Sequence, residues 1–469
     1  MLTVERTPIP GLLVVHLPLH RDTRGWFKED WQREKMVAAG LPDVYFRQHN
    51  ISYNATVGTT RGIHAEPWDK YVSVSRGGAF GAWVDLREGK TFGRVHTERL
   101  GPEIAVFVPR GVGNAFQALE PETAYTYLVT DHWSSAAQER YTFLNLNDET
   151  AAVPWPIPLD AAELSEKDHH HPRMSAVIPM PPAPILILGA GGQLGTALVE
   201  TCRARNIPHR AFTREMWDLS RPESWPVSQV RDVRAVVNAA AYTRVDRAET
   251  SQGREKAWRV NATGVAALTA LCRESDTPLI HISTDYVFDG ALPAEQEYGP
   301  THPVSPLSVY GQTKAAGESA VRTWTKHHIV RTSCVIGTGK NFVTTMRDLA
   351  ESGANPVVVN DQCGRLTFVD DLAKGVLQLV TGPAEFGTYH FTNTGPALSR
   401  YEVARQVFEL SGHDPDRVSP TSTELYCANR PGAAPRPPNG RLLQDGVAEV
   451  FGEVPPARRR LEEHLRHYY

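Results

Sequence analysis

The chain has 469 residues, 22% of them charged and 41% hydrophobic, and a formal net charge of −4. That length exceeds what one hydrophobic core usually serves, so two domains are expected, and so small a net charge supplies no field to gather nucleic acid or an acidic membrane. The five cysteines, Cys202, Cys272, Cys334, Cys363 and Cys427, are odd in number and widely spaced, which argues against a disulfide framework or zinc ribbon and for a reducing cytoplasm.

The opening MLTVERTPIPGLLVVHL lacks a basic segment followed by a clean apolar run and cleavage site, and runs such as ILILGA are too short to span a bilayer, so no export and no membrane partner are expected. To about residue 155 short alternating runs are punctuated by Gly and Pro. In FGAWVDLR, Phe80, Ala82, Val84 and Leu86 fall on one face, as a half-buried strand requires. With KYVSVS, EIAVFVP and TAYTYLVT this predicts an antiparallel barrel or jelly roll over residues 1–170.

Within it RGIHAEPWDK sets Arg61, His64 and Lys70 close together. A metal reading keeps only His64 and Glu66, because the later PRGVGN ends in Asn114 where a second histidine would be needed, and a catalytic zinc-type site normally has three protein ligands. A hydrogen-bonded core histidine is the plain alternative. Two cations beside it make burial costly unless something anionic binds, a phosphate or an enolate.

Residues 171–184, with five prolines between Pro172 and Pro184, are expected to form an extended connector. From residue 185 to the end the grammar becomes strand then helix: PILILGAGG, a helix to about Arg205, PHRAFTR, VRAVVNAAAYT, a helix around Trp258 to Cys272, then PLIHISTDYVF. That is a Rossmann-type, doubly wound parallel sheet. In ILILGAGGQLG the glycines Gly189, Gly192 and Gly195 stand at the first strand-to-helix turn, where a pyrophosphate can approach the backbone. SVYGQTK puts Tyr310 and Lys314 on one helix face. A neighbouring ammonium is expected to lower the phenol's pKa and suit it to protonating an alkoxide, with Thr284 from STDYVFDG orienting a carbonyl. In AFTRE, Arg214 stands where an acidic residue would favour a free ribose hydroxyl. It favours NADPH, with NADH as the alternative.

GAGGQLG, NAAAYTRVDRAE, ISTDYVFDG, VYGQTKAAGE, DQCG and RPPNGRL together resemble the dTDP-4-dehydrorhamnose reductases among the extended short-chain dehydrogenase/reductases. The resemblance implies a small substrate-binding subdomain, Tyr310 as proton donor with Lys314 and Thr284 as partners, and Asp285 near the substrate. It also implies Gly189, Gly192, Gln193, Leu194, Gly195, Ala241, Tyr242 and Thr243 beside the cofactor. Cys334 stands where a tryptophan is usual, and GRLT (Gly364 to Thr367) replaces G-x-P-T. Magnesium, found in some relatives, is not indicated by any residue pattern.

RDTRGWFKEDW, FRQHNIS, RGIHAE, DKYVSVSRG, VDLREGKTFG, YLVTDHW and WPIPLDAAELSEKD resemble the dTDP-4-dehydrorhamnose 3,5-epimerases, whose fold is a cupin-like jelly roll. By that likeness His64 is the general base, Asp168 its orienting carboxylate, Tyr127 the opposite-face acid and Lys70 the enolate stabiliser. Arg24, Glu29, Gln48, Asn50 and Arg61 would hold the nucleotide sugar, with Asn114 in a usual histidine position. Ala65-Glu66 replaces Phe-Gln. A homodimer through this half is expected. The two resemblances together imply epimerisation at C3 and C5 of a dTDP-4-dehydro sugar, then reduction of its C4 ketone. The alternatives are a reductase with a non-catalytic first half, or a related deoxysugar route.

Overall fold

The computed structural model describes residues 2–428, 430, 432–444 and 446–466, with the backbone alone at 135 and 136. It divides into two compact units, Met1–Pro182 and Ala183–Tyr469.

In the first unit, turns every few residues throw the short alternating runs into two antiparallel sheets. One runs Thr3–Arg6, Leu13–His16, Ile104–Val108, Lys70–Arg76, Thr123–Val129, Gln48–Asn54, and the other Thr142–Phe143, Thr60–Ala65, Val112–Ala118, Ala79–Asp85, Val95–Leu100. They pack face to face through Val14, Val72, Val74, Trp83, Val106, Phe116 and Tyr125. The strand Ala79–Asp85 departs from the half-buried expectation, because every residue in it is buried. Trp83 fills the space between the sheets, while Val84 and Leu86 face a second apolar cluster with Leu144, Leu146, Met174 and Met180.

That second cluster corrects the expected connector. His171 to Pro182 group with the first unit. Met174 and Met180 are buried, the Asn145 backbone amide donates to the Pro172 carbonyl at 2.9 Å, and Met180 pairs with Arg87 as an isolated bridge. Prolines keep this segment from forming a ladder strand or more than the single 3-10 turn Met174–Ala176, but they do not stop apolar side chains from covering an exposed sheet face.

The second unit holds a parallel sheet in the order His209–Phe212, Ile185–Leu188, Ala235–Asn238, Leu279–Thr284, His327–Thr332, Gly387–His390. Apolar layers cover both its faces. Strand order reverses between the two βα units that begin at Ile185 and Ala235, the kind of switch point where open parallel sheets bind ligands beyond the strands' carboxyl ends. A separate apolar cluster includes Ile336, Val343, Leu366, Val403, Phe408 and Leu461. Among the described residues no helix is long and apolar enough to cross a membrane.

Candidate active sites

The first unit opens into a cleft of about 730 Å³ whose walls come from both sheets. His64 lies on Thr60–Ala65, opposite Asn114 in the neighbouring strand, while Lys70 and Tyr127 belong to adjacent strands of the other sheet. Asp168 arrives from 104 residues away and accepts from His64 Nε2 at 3.0 Å. The local reason for the SEKD stretch is visible. Ser165 caps the short helix Glu166–His169, its hydroxyl accepting from the Asp168 amide at 3.2 Å, so the carboxylate is held at the helix's first turn. Asn145 donates to the His169 and His171 carbonyls at 2.9 and 3.1 Å and pins this segment to the first unit.

Burial alone would raise the Asp168 pKa. Hydrogen bonds from His171 and His64 outweigh it and hold the carboxyl well below the usual range. Sequence reasoning missed His171, which lay within the supposed connector. Its Nε2 stands 3.2 Å from Asp168 Oδ1 and 3.3 Å from His64 Nε2, and its ring stacks on Phe143. The anion demanded by the local cations is in part the protein's own. Glu66 pairs with Lys70 at 2.8 Å, both nearly buried. Burial first, then Glu66, raises the Tyr127 phenol's pKa, with Arg61 opposing. The Lys70 ammonium lies 5.9 Å from that ring's centre.

Arg61 and Asn114 line the cleft. Asn114 Oδ1 accepts from Trp83 Nε1 and the Tyr125 hydroxyl, both at 2.9 Å, which leaves its NH2 as the group able to meet a ligand. Arg24, Glu29, Gln48 and Asn50 are not among the residues lining the cleft. Arg24 pairs with Asp22 on an exposed hairpin, Glu29 pairs with Lys35, and Gln48 donates to Asn50 at 2.7 Å.

In the second unit the glycines divide by role. A Cβ at Gly189 (φ +80°) would meet the Ala240 amide nitrogen at 2.7 Å, and one at Gly195 the Gly189 carbonyl at 2.1 Å, so both are needed for packing. A Cβ at Gly191 or Gly192 would meet nothing closer than 4.0 or 3.4 Å. There the backbone lies open at the start of the helix Gln193–Ala204, a cradle that a dinucleotide's pyrophosphate fits. Leu194, expected beside a cofactor, buries its side chain in the core while its backbone lies in the first turn of the helix, and Gln193 donates to the Lys340 carbonyl at 3.4 Å. Arg214 is 76% exposed, with a 3.5 Å contact to Asp218. The turn after Ala235–Asn238, Ala241 to Thr243, is held by Asn261, which the sequence reading did not single out. Buried in a π-helical turn, Asn261 accepts from the Tyr242 amide at 2.8 Å and donates to the Tyr242 carbonyl at 3.0 Å. A π-turn interrupting a helix is a frequent mark of a functional site.

Tyr310 and Lys314 share the helix Val309–Val321. The expected lowering of the phenol is not seen. Burial, Asp285 and Tyr286 push Tyr310 up, against a hydrogen bond with Thr284. The Lys314 ammonium donates to the Ile282 carbonyl at 2.6 Å and lies 3.3 Å from His281 Nε2. Asp285 accepts from the hydroxyls of Thr284 and Ser333, both at 2.9 Å. It lines a small cavity of about 20 Å³ with Cys334 and Arg400, and Arg400 donates to the Cys334 sulfur. Leu366, at the proline position of G-x-P-T, is buried in the apolar cluster around Val343 and Phe408, so that departure is one of packing.

These features define a two-part enzyme scaffold: a β sandwich with a histidine–aspartate pair facing a tyrosine and a lysine, followed by a dinucleotide-type α/β unit with a tyrosine–lysine helix. The match to the RmlD substrate binding domain family spans residues 183–469, and that to the dTDP-4-dehydrorhamnose 3,5-epimerase family spans residues 6–176. The chain belongs to both families, one in each unit. It is 46% identical over 182 residues to an RmlC homolog of Streptococcus pyogenes serotype M6, covering 38% of this chain and 92% of that protein. It is 40% identical over 257 residues to the dTDP-4-dehydrorhamnose reductase of Mycobacterium tuberculosis, covering 54% and 82%. The crystal structure of the dTDP-4-dehydrorhamnose reductase of Bacillus anthracis in complex with NADP superposes with a TM-score of 0.54 at 32% identity, covering 61% of this chain and 99% of that one.

Proposed function

We propose that the chain is a bifunctional enzyme of dTDP-L-rhamnose formation. It epimerises dTDP-4-dehydro-6-deoxy-D-glucose at C3 and C5, then reduces the C4 ketone with NADPH. The observation that supports this reading is that His64, Asp168, Tyr127 and Lys70 line one cleft of the first unit, with His64 bonded to Asp168, while in the second unit Tyr310 bonds to Thr284 from the same helix that carries Lys314.

The first unit, read as a cupin-like jelly roll, works on an acidified carbon. The C4 ketone makes the hydrogens at C3 and C5 removable. His64 donates Nε2–H to Asp168, which leaves the Nδ1 lone pair to take the proton, while the electron pair moves onto the C4 oxygen beside Lys70. Tyr127, on the opposite wall, returns a proton to the other face of the carbon, inverting it. The neutral Tyr127 phenol is favoured by its surroundings, as an acid requires. Arg61 and Asn114 meet the nucleotide sugar. Arg24, Glu29, Gln48 and Asn50 remain candidates for the same task. In the second unit NADPH, when bound, supplies the hydride for C4. Tyr310 gives its proton to the C4 oxygen, Thr284 orients the carbonyl, Asp285 lies near the sugar, and Ala241 to Thr243 would lie beside the cofactor. A homodimer through the first unit is supported by its edge strand Gln48–Asn54, which leaves Ile51 and Tyr53 exposed, and sedimentation velocity would test it.

The deciding experiment incubates the protein with dTDP-4-dehydro-6-deoxyglucose in D2O, with and without NADPH, and follows deuterium uptake and products by NMR. Deuterium at C3 and C5 without NADPH, and dTDP-L-rhamnose with it, are expected. Reduction with no exchange would leave a reductase alone.

The exposed Arg214 suits the 2′-phosphate of NADPH. NADPH is therefore expected to be preferred to NADH. Arg214→Ala should raise KM for NADPH roughly tenfold with kcat little changed, since an exposed charge-assisted contact is worth about 1.5 kcal/mol. Equal efficiency of the wild type with both cofactors overturns this assignment.

A further inference from the structure

His64 Nε2, His171 Nε2 and Asp168 Oδ1 converge at the wall of the epimerase cleft, separated by 3.0, 3.2 and 3.3 Å. We propose that these three side chains form a binding site for a divalent cation of the zinc class, and that an ion bound there switches off epimerisation while leaving the reductase untouched.

Asp168 Oδ1 can accept from both imidazoles at once, which brings the two ring nitrogens within 3.3 Å of each other around one carboxylate oxygen. If one ring turns to accept from the other, it no longer donates to Asp168. A cation accepts a lone pair from all three at once. Three donors about 2.0–2.1 Å from a tetrahedral ion stand roughly 3.3 Å from one another, close to the separations found, and two imidazoles with one carboxylate leave a fourth position open, as zinc accommodates. The three come from two elements, the strand Thr60–Ala65 and the segment after Ser165 that Asn145 pins, so the donors are held before any ion arrives.

Access and charge permit binding. His64 is 34% exposed, and all three residues line the open cleft. Of the other cationic side chains there, Lys70 is paired with Glu66 at 2.8 Å, while Arg61, Lys167 and His170 complete the lining. The Glu66 pairing leaves less positive charge to oppose the ion.

The inhibitory consequence rests on the reading of His64 as base and follows from the tautomer. A metal on Nε2 requires the neutral ring to carry its proton on Nδ1, so neither nitrogen keeps a lone pair for a carbon-bound proton. Binding is reversible, and no bond to the sugar is made or broken.

The test uses the full chain, stripped with a chelator and desalted. Zinc sulfate is titrated in competition with a chromophoric zinc indicator, and deuterium exchange at C3 and C5 is measured over the same zinc range. Wild type is expected to bind one zinc ion whose titration parallels the loss of exchange, with NADPH-dependent reduction of pre-epimerised sugar unchanged. His171→Ala and the more conservative His171→Gln should each bind more than roughly tenfold more weakly, because even supporting residues around a metal cost 10–100-fold when removed. Their inhibition, each referred to its own zinc-free rate, should weaken in parallel. Absence of stoichiometric zinc in the wild type, or equal affinity in both variants, overturns the site. Exchange that persists in zinc-saturated protein overturns the inhibition. Absence of exchange in zinc-free wild type refutes the base reading and with it the inhibition, while the site itself is still decided by the indicator titration.

Discussion

Replacing His64 by alanine is expected to lower solvent exchange at C3 and C5 by about 10²- to 10⁴-fold, the usual contribution of a positioned base. The reaction asks for a group that accepts a carbon-bound proton near neutral pH, and an imidazole is the side chain type suited to that. A second imidazole, His171, stands nearby, yet it is not a replacement. Its ring is stacked on Phe143 with centroids 4.6 Å apart, and its Nε2 is committed to Asp168. Reduction of pre-epimerised sugar should be unaffected in His64→Ala, since the tyrosine–lysine set lies in the other unit. Exchange at the wild-type rate in the variant would remove His64 from the mechanism.

Tyr310→Phe should do the reverse, cutting ketone reduction by about 10²- to 10⁴-fold while deuterium exchange continues. The phenol's environment argues for a donor that stays loaded: burial, Asp285 and Tyr286 hold its proton on through neutral and mildly alkaline pH. The titrating partner is Lys314. Burial pushes its ammonium down to about 8, against the influence of Glu318, so the positive charge is present below that pH and lost as pH rises through it. The kcat for reduction is therefore expected to fall as pH passes about 8, in a limb that the exchange reaction does not share. If reduction and exchange fall together in Tyr310→Phe, the two sites are not independent. A flat reductase profile between pH 7 and 9 would show that the lysine's charge is not required.

The departures from the family patterns acquire meaning only in three dimensions. Glu66 is the partner that neutralises Lys70, and Asn114 ties Trp83 to Tyr125 at the cleft wall. Cys334 receives the Arg400 guanidinium beside Asp285.

Sequence by itself determined the features whose geometry is local. A buried strand followed by glycines and a helix, and a tyrosine four residues before a lysine, need only the periodicity of a single element, so the Gly189–Gly195 turn and the Tyr310–Lys314 face were legible from spacing. Alternation likewise revealed the strands of the first unit, but not that Ala79–Asp85 would be covered on both faces, because the cover comes from Leu144, Met174 and Met180, far along the chain. The proline count pointed to an extended 171–184 without revealing the 3-10 turn Met174–Ala176 or that most of the segment packs as part of the first unit. Tertiary structure decided the rest: His171 meeting His64 across 107 residues, Asn261 bracing the turn at Tyr242, Leu194 turned into the core, and Tyr310 shifted up. The direction of a pKa shift depends on how much water and which charges surround the group. Those neighbours are assembled from distant segments by burial of apolar surface, which no local pattern encodes.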